Sequence, residues 1–417
     1  MANTWQNTQV VLWKTLARWK NNLKFARNVD HSYSEEFGAI VGSHNKPGQT
    51  IQVLKPQRFV VTASQAATFQ GIQNITTPLT MSIQANVAYL VSSAERYLNA
   101  DHMYEKFGKP AADALSNYVD YQAFLYATQV APNWVGTPGT RPTDNGVYLD
   151  AGVMLDNYNA PMNVSDRMML VSPQQMRSAI SYDQTLFHAG QEIEQQYREG
   201  TVGEAHGWQW FKSQNTPVIT SSTFAGTPVV QGAGQTGSSL ITSGWTSGTL
   251  TPGFHFTIGS NTADPNAVLG VNAQNRATFG KQQCFTVTAT TPLTSGNITI
   301  PIYPAIQPTG NYQNVNQSPP SGAAITPWAP SGTTNIVTGL GFHEKSFAVV
   351  YGKLDVPEKG VIEAFGDTDP ETGCFMRYMM YLDGDNDNWK VRWDILFGFG
   401  ALYPEWACLV AGNAAQG

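Results

Sequence analysis

Three aspartates near the C-terminus have a spacing that can bind a hard cation. Asp383, Asp385 and Asp387 alternate with other residues, and Asp394 is twelfth when counted from Asp383. Calcium loops place oxygen ligands at these positions, with glycine at the sixth and glutamate at the twelfth. Here Asn388 replaces the glycine and Asp394 replaces the glutamate. A solvated hairpin tip is the simpler interpretation of Asp383, Asp385 and Asp387, and cation binding is the alternative.

The other chemical motifs are incomplete. Residues 232–237 satisfy GxGxxG, but no helix is predicted to follow and hold a pyrophosphate. Residues 339–346 approach a phosphate-binding loop, yet Glu344 stands where its second glycine belongs. The sequence has no GxSxG, HExxH or Cys/His metal spacing, and His343 has no partner nearby in sequence. We therefore expect a packed or surface His343, no cofactor and no enzyme activity.

Charge and cysteine usage exclude several classes of protein. The formal net charge is −6 with 13% charged residues, so at most weak, non-specific contact with DNA is expected. Cys284, Cys374 and Cys408 have no paired spacing, which indicates free thiols in a reducing compartment. No apolar run reaches the roughly 20 residues of a membrane span, and basic residues interrupt any signal-peptide core. We expect a protein that folds in the cytoplasm and contacts no membrane.

The first 30 residues combine an apolar stripe with a basic one. Leu12, Leu16, Trp19 and Leu23 share one helical face. The basic residues are Lys14, Arg18, Lys20, Lys24 and Arg27, and no acid precedes Asp30. Three interpretations are open: an arm that docks on an acidic partner, a helix on a membrane surface, or a helix on the protein's own core. The first is favoured, because acid-free basic runs at a terminus are usually interaction segments.

Elements with clear periodicity follow. Residues 79–89 alternate apolar and polar side chains, which predicts a long strand. An earlier strand over 50–62 contains Pro56 and therefore belongs at an edge. Together they predict a long hairpin that a neighbouring molecule must cover. An apolar stripe over 111–130, ended by Pro132, predicts a helix.

The later segments also show defined elements. Ser172 and Gln175 form a capping box around Pro173 at the start of a helix. Three C-terminal strands are predicted over 374–382, 389–402 and 406–410. In the second, alternate positions put Trp389, Val391, Trp393 and Ile395 on one face and Lys390, Arg392 and Asp394 on the other. An antiparallel meander with one buried face is expected.

Residues 223–340 form a charge-poor insert, with Asp264, Arg276 and Lys281 as the only charged residues. Short β-branched runs at 285–288 and 298–302 are separated by Gly, Pro, Ser and Asn. This pattern predicts a small all-β domain. The flanking sequence is more charged and more helical, so the chain as a whole is predicted to be α+β.

In its order of segments, the chain resembles major capsid proteins of tailed bacteriophages with the Hong Kong phage capsid fold. It is most similar to the branch from short-tailed Salmonella phages, whose coat protein carries an inserted β-barrel domain. The resemblance covers nearly the whole chain. Residues 52–60 resemble the family's extended loop and 197–207 the segment before the insertion. Residues 254–287 resemble the insertion domain, and 341–357 with 391–410 resemble the closing strands.

The resemblance implies a domain layout. It comprises an N-terminal arm (1–36), an extended loop with its flanking strand (37–92), a peripheral domain with a spine helix (93–149), an axial domain (150–222), an inserted β-barrel-like domain (223–340) and a return to both domains with C-terminal antiparallel strands (341–417).

It also implies a structural capsid protein that self-assembles, as hexamers and pentamers, into an icosahedral shell around the phage genome. The shell would be built as a procapsid in the host bacterial cytoplasm and matured by conformational change. Scaffolding and portal proteins are the expected partners, and a decoration protein is a further candidate. The expected interface residues are Lys14, Arg18, Lys20, Lys24, Arg27, Lys55 and Arg58. The alternatives are a β-rich surface or adhesion protein, which should carry an export signal, and an unrecognised hydrolase.

Overall fold

The computed structural model describes residues 8–34, 47–61, 63, 65, 69–72, 74–92, 104–186, 202–357 and 360–413. The chain divides into two compact units, each made of separate stretches of sequence. The first unit comprises Met1–Leu54, Thr76–Phe124 and Phe347–Leu402, and the second comprises Lys55–Ile75, Leu125–Ser346 and Tyr403–Gly417.

The first half of the chain contains the helices. In order, its elements are α1 (Thr8–Asn22), β1 (Gln49–Leu54), β2 (Thr76–Ser92), α2 (Lys109–Val130), β3 (Asn133–Val135), α3 (Gly146–Asn157), β4 (Arg167–Val171), α4 (Pro173–Leu186), β5 (Glu204–Ala205), β6 (Trp208–Lys212) and β7 (Val218–Ile219).

In the second half, the regular elements of the described residues are strands, apart from two one-turn 3₁₀ helices. Its strands are β8 (Thr223–Val230), β9 (Gly237–Leu250), β10 (His255–Ile258), β11 (Leu269–Val271), β12 (Thr278–Gln282), β13 (Cys284–Val287), β14 (Thr291–Leu293), β15 (Ile298–Ile306), β16 (Ile325–Pro327), β17 (Ile336–His343), β18 (Phe347–Gly352), β19 (Glu363–Thr368), β20 (Phe375–Asp383), β21 (Asn388–Ala401) and β22 (Ala407–Asn413).

An antiparallel sheet forms the centre of the first unit, in the order β1-β2-β21-β20-β19, with β18 also paired to β21. Strand β2 contains the predicted strand 79–89, and α2 matches the predicted helix 111–130. Strand β1 ends at Leu54, earlier than the predicted 62. The reason is Pro56, which cannot donate to a ladder, so the chain leaves the sheet just before it.

The prediction of a single buried face is wrong for the central part of β21. Asp394, expected on the polar side, is fully buried next to the buried Trp393. Its carboxylate lies 2.8 Å from Nη2 of Arg377 and 2.8 Å from Nε of Arg392. Two guanidinium groups supply the charge and hydrogen bonds that a buried carboxylate requires. Both faces of the strand are therefore covered here.

Two seven-stranded sheets form the second unit, together with the two-stranded β11-β12 ribbon. One sheet has the order β14-β9-β15-β13-β10-β16 with β8 on β9, and lies within the charge-poor region. Its core is aromatic and aliphatic, and Phe256 stacks on Phe285 with ring centres 5.7 Å apart. With few ionisable groups to satisfy, this sheet is stabilised mainly by burial of apolar side chains.

The other sheet of the second unit has the order β3-β22-β17-β4-β6-β5, with β7 paired to β17. Strand β17 is buried along its length and places Leu340 opposite Leu170 and Leu409. The insert boundary predicted at 340 therefore falls within a strand of this second sheet. Alternation cannot locate that boundary, because a strand that is buried on both faces shows no period of two.

Two local features predicted from the sequence, a helix capping box and free cysteines, are present in the structure. The Ser172 amide donates to Oε1 of Gln175 at 3.1 Å, and the Gln175 amide donates to Oγ of Ser172 at 3.2 Å, which confirms the capping box. Cys284, Cys374 and Cys408 are free, as predicted, and buried. Burial raises the pKa of the Cys284 thiol to about 12, so this thiol remains protonated near neutral pH.

Candidate functional site

The loop between β1 and β2 leaves large apolar side chains uncovered. The exposed fractions are 64% for Phe59, 94% for Val61, 96% for Phe69 and 73% for Ile72. Single exposed apolar residues are ordinary, whereas several on one short segment indicate a surface that another molecule covers. Sequence analysis predicted a long hairpin here but did not single out these side chains.

A side-chain clamp joins the two arms of this loop. The Val60 amide donates to Oε1 of Gln70 at 2.9 Å, and Nε2 of Gln70 donates back to the Val60 carbonyl. Both backbone groups of Val60 are thus bound by one amide side chain. The clamp holds Val60 against Gln70, so the chain neighbours Phe59 and Val61 lie near the chain neighbour Phe69.

At the base of the loop, a polar cluster surrounds Glu405. Its carboxylate accepts a hydrogen bond from the Tyr303 hydroxyl at 2.8 Å and lies 3.9 Å from Nη2 of Arg58. Lys55 Nζ is 5.2 Å from the Tyr403 ring centre. A cavity of about 190 Å³ opens among these residues.

This cluster contains two of the predicted interface residues, Lys55 and Arg58. Burial lowers the pKa of Lys55, nearby Glu405 opposes the shift, and Arg58 adds to it. The Arg58 guanidinium also lies 5.9 Å from the Tyr312 ring centre. Both cations therefore make contacts within their own unit, and a role between copies of the chain stays a prediction.

Helix α1 packs its apolar face on its own unit. Leu12, Leu16, Trp19 and Leu23 are all buried, and the Trp19 ring meets Tyr351 edge-on at 5.5 Å. Of the three interpretations of this segment, the structure shows the helix on the protein's own core. No helix among the described residues is long and apolar enough to cross a membrane.

The basic face of the same segment is partly occupied by acids of the same unit. Arg18 forms a bidentate pair with Asp113 at 2.6 and 2.7 Å, and this contact lowers the pKa of Asp113. Lys20 lies 2.5 Å and Arg27 lies 2.8 Å from the carboxylate of Glu371. The pKa of Glu371 is lowered, first by Lys20 and then by Arg27.

Lys14 and Lys24 are exposed. Docking of the basic segment on an acidic partner stays a prediction for all five basic residues.

Asp120 anchors the chain just after α1. It is fully buried, and its Oδ1 accepts the backbone amides of Lys24 at 3.1 Å, Phe25 at 2.7 Å and Ala26 at 3.0 Å. Phe25 also stacks on Phe124 with ring centres 5.4 Å apart. One carboxylate thus satisfies three amides beyond the end of a helix. Its only sequence signal is an acid next to the apolar stripe of α2.

At the acidic turn, the carboxylates are not gathered around a common point. Asp383 forms an ion pair with Lys390 at 2.9 Å, which lowers the pKa of Asp383. Among the described residues, no group of three or more His, Cys, Asp and Glu side chains is arranged to hold a metal ion. Cation binding by Asp383, Asp385 and Asp387 therefore has no geometric support in this part of the chain.

The GxGxxG segment and His343 also match their simpler interpretations, a loop and a packed side chain. The GxGxxG segment runs directly into strand β9, and no helix opens after it. His343 is buried, accepts the Lys345 amide at Nδ1 at 3.2 Å and meets the Trp406 ring edge-on at 5.6 Å. Burial lowers its pKa. His343 is thus a packed histidine, as predicted.

Comparison with known proteins gives one match that decides the family. The model of the P22 coat protein family, described as gene protein 5, matches residues 1–410. No curated protein matches the chain.

Solved structures match the chain at low identity. The match to Mycobacterium phage Che8 has 13% identity and a TM-score of 0.45, and covers 93% of this chain and 90% of that one. The capsid of Ralstonia phage GP4 matches at 8% identity and a TM-score of 0.44, covering 89% of this chain and 85% of that one. The mature capsid of bacteriophage PhiM1 matches at 11% identity and a TM-score of 0.41, covering 89% and 83%. Identities this low add nothing to the assignment, which rests on the family match.

The family match extends over the helical region, the charge-poor sheet and the closing strands alike. A β-rich adhesion protein does not account for a match of this extent. The protein is a structural major capsid protein of an icosahedral phage shell, with the phage major capsid fold, and the chain belongs to the P22 coat protein family.

Proposed function

We propose that the loop between β1 and β2 is the surface by which one copy of the chain binds the next copy during shell assembly. The uncovered side chains of Phe59, Val61, Phe69 and Ile72 carry this proposal. A standard protein interface buries about 800 Å² per partner, and a few buried aromatic residues usually dominate its energy. A closed shell repeats the contact many times, so each single contact can be weak.

The clamp and the polar cluster support the same role. Gln70 holds the two arms of the loop together, and the Glu405 cluster holds its base. A loop that is ordered before binding loses less conformational entropy when it docks. In this view Lys55 and Arg58 act at the interface indirectly, by fixing the direction of the loop.

The remaining parts of the proposal rest on the family. The chain would assemble as a procapsid in the host cytoplasm, with a scaffolding protein and a portal protein, and would mature by conformational change without catalysing a reaction. A decoration protein is a further candidate partner. The net charge of −6 supports at most weak contact with packaged DNA. The virion is where the finished shell would be found.

The test is a double substitution, Phe59→Ser with Phe69→Ser, in the full-length chain expressed with its scaffolding protein. Closed shells in negative-stain electron microscopy should disappear, because the apolar contact is lost. The free energy of unfolding of the soluble subunit should change by less than about 0.5 kcal/mol per site, as is usual for exposed positions. Val218→Ser with Ile241→Ser is the matched control, since both residues are also exposed and apolar. Normal shells from the loop variant would show that these residues do not carry the contact.

A further inference from the structure

A cavity of about 210 Å³ lies at the root of the charge-poor sheet, within the second unit. The chain passes it twice, at Thr220–Ser222 on the way into the sheet and at Ala329 and Ile336 on the way out. These two connectors are hydrogen-bonded to each other, since the Ser221 amide donates to the Thr333 carbonyl at 2.8 Å. The cavity therefore adjoins the place where the sheet is attached.

His255, the first residue of β10, lines this cavity and is 3% exposed. Its ring contacts two tryptophans, with centres 6.0 Å from Trp134 and 5.5 Å from Trp328, and the two indole centres lie 6.1 Å from each other. Neither ring nitrogen makes a hydrogen bond of normal geometry to the described residues. A buried polar ring without partners is costly and becomes far more so once charged.

Among the residues that the structure describes, no charged side chain acts on this imidazole. Residues from six elements surround the ring: Thr128 and Gln129 at the end of α2, Trp134 in β3, Ile219 in β7, Thr286 in the paired strand β13, Trp328 just after β16, and Ile336 in β17. None of these side chains is ionisable. Burial lowers the pKa of His255 from 6.5 to about 4, the Thr128 backbone offsets part of this shift, and no charged side chain contributes to it.

We propose that His255 is an acid-sensitive lock, which holds the charge-poor sheet to the neighbouring β3-β22-β17 sheet when neutral and loosens that attachment when protonated. Trp134 belongs to the neighbouring sheet and Trp328 to the outgoing connector, so the imidazole contacts both of these elements. A charged ring would require hydration, which the two aromatic contacts restrict on their side of the imidazole. The joint lies within one subunit, and none of the residues named for it belongs to the loop between β1 and β2.

The direction of the effect follows from the pKa values. Because the pKa is lower in the closed state than in an opened one, His255 stabilises the closed joint fully above pH 6.5. This stabilisation is lost as the pH falls from 6.5 to about 4. A difference of 2.5 pH units corresponds to an increase of up to about 300-fold in the population of the open joint.

Amide exchange in the full-length protein gives the measurement, with the Ser221 amide as reporter of the joint. After correction for the intrinsic pH dependence of exchange, its protection should fall by at least about 30-fold between pH 7 and pH 4.5. His255→Phe, which keeps an aromatic ring but cannot titrate, should abolish that fall. His343→Gln changes another buried histidine and should retain it.

The proposal is overturned if the protection of the Ser221 amide falls between pH 7 and pH 4.5 as much in His255→Phe as in the unmodified protein.

It is also overturned if this pH-dependent fall in protection is absent in His343→Gln but present in His255→Phe. The phenylalanine ring is larger than the imidazole and could disturb the site. A second measurement therefore uses the unmodified protein: NMR titration of its ¹³C-labelled histidines. A His255 signal that titrates near 6.5, while Ser221 stays protected, also contradicts the lock.

Discussion

Helix α1 and the loop between β1 and β2 were both expected to face partners, yet the apolar residues of α1 are buried whereas those of the loop are exposed. In α1, Trp19 is fully buried and packs on Tyr351. In the loop, Phe69 is 96% exposed. The basic residues of the N-terminal segment had suggested a docking surface, but Arg18 and Lys20 bind acids of their own unit.

The two regions carry two different signals that are typical of a partner surface. A basic stripe on a helix is compatible with ion pairs inside the same chain, and exposed pairs contribute little energy wherever they form. The large apolar side chains of the loop, in contrast, are left exposed by the described part of the chain. For this protein, we therefore expect the uncovered phenylalanines to mark the assembly surface more directly than the clustered lysines and arginines.

The strongest test of the comparison replaces the anchor of each region. Trp19→Ala should lower the free energy of unfolding by about 3–5 kcal/mol, because it removes a fully buried indole. Phe69→Ser should lower it by less than about 0.5 kcal/mol. Urea unfolding of the two soluble subunits measures both values. Similar losses in the two variants would mean that the helix and the loop do not differ as described.

A smaller effect is expected at the base of the loop. Glu405→Gln keeps the shape of the side chain but removes the charge near Arg58 and weakens the acceptor for the Tyr303 hydroxyl. We expect a loss of about 1 kcal/mol, with faster amide exchange confined to the loop base. The exposed Glu204→Gln is the control and should show neither change. Unchanged exchange at Lys55 in the Glu405 variant would show that the cluster does not hold the loop.

The smallest stability effect is expected for the exposed lysines of the N-terminal segment. Lys14→Glu with Lys24→Glu should change the free energy of unfolding by less than about 0.5 kcal/mol per site. If the segment docks on an acidic scaffolding protein, the amount of scaffold that co-sediments with shells should fall several-fold. Lys353→Glu reverses a lysine elsewhere in the first unit and serves as control. If shells of the double variant contain the normal amount of scaffold, Lys14 and Lys24 do not dock on the scaffolding protein.

Elements set by short-range pattern were predictable from the sequence. Strand β2 follows from alternation, α2 from its apolar stripe, and the Ser172–Gln175 capping box from a four-residue motif. The charge-poor sheet follows from composition and turn residues. In each case the determining residues lie within one continuous stretch of sequence, which therefore contains the whole signal.

Contacts across long stretches of sequence were not predictable. Oδ1 of Asp120 binds amides about 95 residues earlier, and Glu405 receives its hydrogen bond from Tyr303, 102 residues before it. Asp394 was placed on a polar face because strand alternation cannot show that two arginines will cover it. The exposed phenylalanines of the loop were missed for a related reason, since sequence alone does not say which apolar residues lack cover.

The discontinuous first unit has a consequence for how the chain is made. Its sheet pairs Val87 with Trp393, so β2 leaves the ribosome long before its partner β21 exists. Synthesis proceeds at about 5–20 residues per second, so roughly 15–60 seconds separate the two strands. During that interval the apolar face of α1 lacks the Tyr351 ring on which Trp19 will pack. The nascent subunit must therefore keep its earliest residues soluble until its last quarter has emerged.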